Sequence, residues 1–180
     1  MPDTPEVVVR LPLFDEAAQA IKERGSYHRD LTAQELAGIM SGVVTGLTQG
    51  QESVKASMPT MDVRIENAKG IVNGSIMVES PIKATIKVNC VIVNDATPSR
   101  IRLAGLDIQQ KAGFAAKLAL KAVNIEGKAR EALRDPNRAL ELALGSQLEP
   151  RGVNLTGLGL HFNESTLAVS LRGERAVSIR

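Results

Sequence analysis

The chain has 180 residues, of which 43% are hydrophobic and 23% are charged, and its formal net charge is +2. This size and balance fit one globular domain with a buried core. Aromatic residues make up only 2% and tryptophan is absent, so a nucleic-acid surface built on base stacking is not expected. One cysteine allows no internal disulfide, and no apolar run approaches the roughly 18 residues that a membrane-spanning helix needs.

The N-terminal part has weaker patterns than the rest. We expect an extension over residues 1–30 and a single α+β domain over residues 31–180. Within the extension, Asp15–Arg24 favours a helix, and Ser26–Asp30 is predicted to be a linker. No signal-peptide pattern is visible. A cytoplasmic or peripheral membrane protein is therefore expected, and an extracytoplasmic location would require that a leader has been removed.

The segment after residue 31 begins with a helix signal. Thr32 and Glu35 have the spacing of a capping box, in which each side chain accepts a hydrogen bond from the backbone N–H of the other residue. Glycines recur at every fourth position of the predicted helix, namely Gly38, Gly42 and Gly46. This spacing predicts either a glycine face pressed against a sheet or a loosely packed helix that opens to admit a ligand.

A long antiparallel meander is predicted over Met61–Gln110. Polar and apolar residues alternate through this stretch, as half-buried strands require, and β-branched residues are frequent. The clearest strand, Ile82–Ile92, is longer than the usual five or six residues or so, which suits a curved sheet. Gly105 is expected at a bulge or a close approach.

The region that follows is basic and amphipathic. It predicts either an ordinary surface helix or a helix that docks on anionic lipid headgroups, where each nearby Lys or Arg contributes about 1 kcal/mol. The cations that would face a membrane or another anion are Lys117, Lys121, Lys128, Arg134 and Arg138. Asp135 and Pro136 then predict the start of another helix.

The last predicted element is a hairpin of Val153–Phe162 and Thr166–Arg172. Gly157 and Gly159 leave one face of its first strand bare, which gives room for a ligand or for a crossing helix.

No catalytic or metal-binding pattern is apparent. His28 and His161 are far apart in the sequence and lack a second ligand at metal spacing, and neither a phosphate loop nor a nucleophile elbow is present. Cys90 falls on the apolar face of a predicted strand, which is the wrong setting for a nucleophile. We therefore expect no enzyme activity and no cofactor.

Three segments resemble the LmeA-like bacterial phospholipid-binding proteins, relatives of the tubular lipid-binding (TULIP or BPI-like) superfamily. Leu31–Leu36 is similar to the family's opening helix motif, Val63–Gly74 to one of its hairpins, and Val153–Gly173 to its terminal hairpin. The resemblance implies an α+β fold in which a long, curved antiparallel meander wraps around one or two helices as a half-barrel. It also implies an apolar groove between sheet and helix.

The function implied is non-enzymatic binding of a lipid or other apolar small molecule, with docking on an anionic membrane as a further expectation. The expected apolar lining is Leu36, Met40, Val43, Ile86, Val88, Leu118, Leu144, Leu158 and Leu160. The alternatives are a solid core in which these residues fill one another's space, and an assembly module that forms homo-oligomers through sheet edges or the glycine-faced helix. No nucleic-acid partner is expected.

Overall fold

The computed structural model describes residues 12–48, 55–56, 60–80, 83–111, 113 and 125–177. Over these ranges the protein is α+β, with two antiparallel sheets and four α-helices. The helices are α1 (Pro12–Arg24), α2 (Ala33–Thr48), α3 (Ile125–Arg134) and α4 (Pro136–Leu148). The strands are β1 (Ser26–Leu31), β2 (Lys55–Ala56), β3 (Thr60–Glu66), β4 (Lys69–Ser80), β5 (Ala84–Asn94), β6 (Ile101–Lys111), β7 (Val153–Phe162) and β8 (Leu167–Arg175).

The larger sheet contains the predicted meander. Strands β3 to β6 follow one another as antiparallel neighbours, and the short β2 shares with β3 the edge of β4 that faces away from β5. Val91 of β5 pairs with Gly105 of β6, whereas the next residue of β5, Ile92, pairs with Leu103. Strand β6 therefore has one extra residue, Ala104, at this point. The predicted bulge is therefore confirmed next to Gly105.

Alternation along β5 separates an inner face from an outer face. The residues on the inner face are buried: Ala84, Ile86, Val88, Cys90 and Ile92. Lys87 and Asn89 lie on the outer face and are half-buried. Among the described residues, no buried side chain is polar or charged. Hydrophobic burial on the inner face thus fixes the register of the sheet.

The smaller sheet has the order β1-β8-β7. The prediction of a linker at Ser26–Asp30 is wrong, because these residues form most of β1. Strand β1 pairs antiparallel with β8 along the whole length of β1. The segment lacks apolar alternation of its own, so the pairing with a strand some 140 residues away could not be read from local pattern. Helix α1 covers this sheet and buries Phe14 and Ile21 in the same core as the rest of the chain.

The helices join the two sheets. Helix α2 packs against β3 and α4, whereas α4 also packs against β7 and β6. The predicted capping box of α2 is confirmed, since the backbone N–H of Glu35 donates to Thr32 Oγ1 at 3.2 Å and Thr32 N–H donates to Glu35 Oε1 at 3.5 Å. The prediction that a glycine face presses against the sheet is wrong at Gly42, because this residue is exposed and an added Cβ there would meet nothing within 4 Å.

Candidate functional site

Most of the apolar residues proposed as a ligand lining lie together in the structure. Leu158 is half-buried and packs against the main hydrophobic cluster. Val43 lies in α2, but its side chain is outside the described part, and Leu118 lies outside the described residues altogether. The remaining six are buried members of that cluster: Leu36 and Met40 of α2, Ile86 and Val88 of β5, Leu144 of α4, and Leu160 of β7. The described part of the proposed lining therefore belongs to one hydrophobic cluster, to which both sheets and the helices contribute.

The inner face of β4 and β5 forms a ladder of apolar pairs. From the end of the ladder where β4 ends and β5 begins, the pairs are Val78–Ala84, Ile76–Ile86, Gly74–Val88, Val72–Cys90 and Gly70–Ile92. Successive pairs are two residues apart, or roughly 7 Å along each strand. The β4 half of this surface was missed by sequence reasoning. The signal was incomplete, because Ile71 and Met77 interrupt the alternation of apolar and polar residues along β4, and the partner register was needed to place its inner face.

Two glycines of β4 let other side chains cover the middle and the far end of this ladder. An added Cβ at Gly70 would lie 2.8 Å from Cζ of Phe162, so the phenyl ring rests directly on the strand. At Gly74 an added Cβ would lie 2.7 Å from Sδ of Met61. The inner face of β4 is thus covered by protein side chains at its middle, beside Gly74, and at the end remote from Ser80, beside Gly70.

The end of the ladder where β4 ends and β5 begins is different. A cavity of about 510 Å³ opens there, and its described lining is Met77, Val78, Glu79, Lys83, Ala84 and Thr85. Val78 and Ala84 form the outermost pair of the inner face and belong to the hydrophobic cluster. Met77 is 58% exposed, which is unusual for a large apolar side chain. The cavity therefore borders directly on the apolar interior.

The cations proposed to face an anion are placed only in part. Arg134 ends α3 and Arg138 lies in the first turn of α4, and both are exposed. Lys128 lies in α3 with its side chain outside the described part, and Lys117 and Lys121 lie outside the described residues. A single face shared by the five cations therefore stays a prediction.

The bare face predicted at Gly157 and Gly159 is occupied by the chain itself. An added Cβ at Gly159 would lie 3.4 Å from Cβ of Ser99, and one at Gly157 would lie 3.6 Å from Cβ of Arg172. The backbone N–H of Leu160 donates to the carbonyl of Ser99 at 3.0 Å. The crossing element at Gly159 is therefore the β5–β6 loop, and the expectation of a ligand or a helix there is wrong.

Two asparagines complete strand edges at the sheet junctions, and sequence reasoning missed both. Asn94 donates from Nδ2 to the carbonyl of Phe162 at 3.0 Å and accepts from the backbone N–H of Phe162 at 2.6 Å. Asn137 makes the same pair of bonds with the backbone of Ile101, at 2.7 and 2.9 Å. Each amide takes the place of a neighbouring strand, because its carbonyl and NH₂ match the backbone groups of one residue.

Polar clusters elsewhere are structural in character. Arg29 of β1 forms ion pairs with Glu16 of α1 at 2.9 Å and with Glu35 of α2 at 3.0 Å, and so ties three elements together. The hydrogen bond that Arg29 donates to the Tyr27 hydroxyl, at 3.5 Å, is the main influence that raises the pKa of Arg29. Burial raises the pKa of the Cys90 thiol to about 11, which keeps it protonated and unreactive. No group of three or more His, Cys, Asp or Glu among the described residues could hold a metal.

A second depression, of about 350 Å³, lies between α1 and the turn after α4. Asp15, Gln19 and Lys22 line it together with Arg151. Arg151 already donates to Asp15 Oδ1 at 2.8 Å and to the carbonyl of Gln147 at 2.6 Å, and its guanidinium lies 5.5 Å from the centroid of the Phe14 ring. This arginine is thus engaged in holding α1 to the end of α4.

In comparisons with known proteins, no family model matches the chain and no curated protein matches its sequence. Of the helices that the structure describes, none has both the length and the apolar character required to cross a bilayer.

Proposed function

We propose that the protein binds a lipid or another apolar small molecule, without converting it, against the inner face of the larger sheet. The observation behind this proposal is the apolar ladder of β4 and β5, one end of which borders a cavity of about 510 Å³ through Val78 and Ala84. Apolar surface next to a concave opening is the usual composition of a small-molecule site. In this proposal the meander and α2 act as the curved sheet and helix of a tubular lipid-binding half-barrel.

The energetics of such binding need no specific polar contact. Each methylene withdrawn from water contributes about 0.8 kcal/mol, so a chain of roughly twelve carbons gains about 10 kcal/mol before costs. Ordering of the ligand and its lost translational freedom remove several kcal/mol or more. With a cost of about 4 kcal/mol, at the low end of the range for association, about 6 kcal/mol remains, which corresponds to a dissociation constant of the order of tens of micromolar.

A titration with an environment-sensitive apolar dye tests this proposal. We expect saturable uptake of one dye per chain and its displacement by dodecanoate. Ala84→Phe, which adds a ring to the cavity wall, should reduce uptake, whereas Ala104→Phe at an exposed position of β6 should not. Near-ultraviolet circular dichroism confirms that each variant is folded. Uptake that rises linearly without saturation, or that is equally affected by both variants, would refute the proposal.

Assembly through sheet edges is a second proposal, and the two asparagine edge contacts limit where it could act. Asn137 occupies the backbone groups of Ile101 on β6, and Asn94 occupies those of Phe162 on β7. These contacts protect edge positions that would otherwise pair with another strand. Light scattering tests the assembly proposal: a concentration-dependent mass above that of the monomer supports it, and a strict monomer removes it.

A further inference from the structure

Strand β1 has one edge without a neighbouring strand among the described residues, since the order of the smaller sheet is β1-β8-β7. The backbone N–H of Gly173 donates to the carbonyl of Gly25 at 3.1 Å. In an antiparallel ladder, residues that exchange backbone hydrogen bonds alternate with residues that do not. The backbone groups of Ser26, His28 and Asp30 therefore point away from β8, toward the open side.

Two observations support this direction. Nδ1 of His28 lies 2.9 Å from Oγ of Ser170, the residue paired with it, and side chains approach closely in pairs without backbone hydrogen bonds. In the part of the chain that the structure describes, no hydrogen bond joins the backbone of Ser26, His28 or Asp30 to another residue. The edge of β1 thus offers the N–H and C=O groups of three residues as a template for a further strand.

The opposite edge of the same sheet is closed by the chain itself. Leu160 of β7 donates its backbone N–H to the carbonyl of Ser99, and the side chain of Asn94 bonds both backbone groups of Phe162. These contacts lie where β7 adjoins the larger sheet, whereas β1 is at the far side of the order β1-β8-β7. Of the two edges of this sheet, β1 is therefore the one at which a strand can be added.

A carboxylate and a guanidinium lie near this edge on the outer face of the sheet. Asp30 is exposed and is paired in the ladder with Ala168, whereas Arg172 is exposed and is paired with Ser26. Neither charge forms an ion pair within 4.0 Å among the described residues. Their rows are four residues apart, or roughly 13 Å along the strand, which explains why the two do not pair within one chain.

A second copy of the chain would bring these two charges together. When β1 pairs antiparallel with β1 of another copy about a two-fold axis at His28, Asp30 of each copy lies beside Ser26 of the other. Ser26 is small, and Arg172 follows it in the same row of the sheet. The long side chain of Arg172 can therefore reach across Ser26 to the carboxylate of the second copy.

The inner face of the edge fits the same register. The two-fold axis sets Tyr27 of each copy opposite Arg29 of the other, and a guanidinium is attracted to an aromatic ring. Glu16 accepts hydrogen bonds from Tyr27 and Arg29 of its own chain and is still 55% exposed, so it adds a carboxylate to this row. The register sets no Lys, Arg, Asp or Glu directly opposite a like charge.

We propose that the β1 edge is the surface through which two copies of this chain pair, so that their smaller sheets form one continuous antiparallel sheet. This inference rests on the assembly proposal above and adds to it the edge, the register and the occupant. Three residue pairs between the copies, centred on His28, each exchange backbone hydrogen bonds in both directions. The interface is isologous, because each copy contributes the same strand.

Proline at position 28 tests the edge. His28→Pro removes an N–H that points outward and leaves the ladder with β8 intact, since proline is tolerated on an edge strand where its missing N–H faces solvent. At the two-fold axis it removes two hydrogen bonds, each of which changes the dimer dissociation constant by about fivefold. We expect sedimentation equilibrium of the full chain to show a dimer whose dissociation constant rises about 25-fold in His28→Pro.

His28→Ala is the matched control, because it loses the same side chain and keeps the N–H. It should dimerise as the parent chain does. Circular dichroism and urea unfolding of the diluted variants confirm that both are folded. Should His28→Pro fail to fold, the exchange of charges between Asp30 and Arg172 decides the question by itself.

Exchange of the two charges tests the register. Asp30→Arg and Arg172→Glu should each weaken the dimer by about two- to fivefold, because each replaces an attraction between the copies by a repulsion. The double variant Asp30→Arg/Arg172→Glu should restore the dissociation constant of the parent chain, since the pair forms again with its signs exchanged. Within one chain the two residues are too far apart for such a rescue.

The outcomes separate this inference from the assembly proposal. A strict monomer removes both. If a larger species forms but His28→Pro behaves as His28→Ala does, or if the double charge variant is no tighter than the single ones, the copies assemble through another surface and the assignment to β1 is overturned. Slow amide hydrogen exchange at Ser26, His28 and Asp30 in the diluted monomer would also overturn it, because another segment of the chain would then occupy this edge.

Discussion

Substitution of Gly70 by alanine tests the packing between the two sheets. The new Cβ would lie 2.8 Å from Cζ and 3.0 Å from Cε1 of Phe162, whereas carbon atoms are best placed at about 3.5–4.0 Å. Phe162 is 1% exposed, so its ring lies wholly in the interior. Overpacking of this kind costs about 1–3 kcal/mol, and replacing a strand glycine returns about 0.5–1 kcal/mol. We expect a net loss of about 0.5–2 kcal/mol in the free energy of unfolding.

Gly74→Ala is the matched control. Its Cβ would meet the thioether of Met61 at 2.7 Å, which is an equally short distance, but Met61 is a flexible and only half-buried side chain that can turn away. We expect a change within about 0.5 kcal/mol. Urea unfolding of both variants, with the slope of the transition compared, measures the difference. In the double variant Gly70→Ala/Phe162→Leu the loss should be smaller than the sum of the two single losses, because the smaller side chain relieves the contact with the new Cβ. Equal effects at both glycines, or strictly additive effects in the double variant, would refute this account of the junction.

Three further predictions concern single sites. Gly42→Ala should raise the free energy of unfolding by up to about 1 kcal/mol, because Gly42 is exposed in the interior of α2 with open space beside it; no gain in urea denaturation would count against its placement. Burial acts to raise the pKa of Asp135, but hydrogen bonds from Asn137 and the backbone N–H of Arg138, with the charge of Arg100, outweigh it and lower the pKa below the ordinary 3.8. The stabilisation that the lowered pKa gives is present above about pH 4 and is lost as pH falls through the folded pKa. Asp135→Asn should therefore remove this part of the pH dependence, while the asparagine still caps α4. Identical acid-unfolding curves for the variant and the parent chain would contradict the lowered pKa. Cys90, with its pKa raised to about 11, should react with iodoacetamide at pH 8 only as fast as the chain unfolds, and rapid labelling of the native protein would contradict its burial.

Elements with a strong local pattern were predictable from the sequence. The capping box at Thr32, the alternation along β5 and the bulge at Gly105 all appear where local spacing predicts them. Strand β1 was not predictable, because its stability comes from the ladder with β8 and not from its own alternation. Local pattern reports which face of an element is apolar, but it does not report which distant strand completes the ladder.

The candidate site was predictable to a similar degree. Residues such as Ile86 and Val88 could be assigned to an apolar interior from period-two alternation alone. The contacts that shape the interior could not, because they depend on pairs far apart in the chain: Phe162 over Gly70, Ser99 against Gly159 and Asn94 on Phe162. Each uses a glycine or an asparagine for a reason that appears only once the second element is in place.

Native mass spectrometry of the protein, purified from cells without detergent or organic solvent, tests the central claim most directly. The account predicts a species heavier than the bare chain, which releases one lipid or other apolar small molecule on denaturation, and a stripped protein that takes up one equivalent of dodecanoate. A folded protein that shows only the mass of the bare chain, and that takes up no ligand when dodecanoate is added, would contradict it.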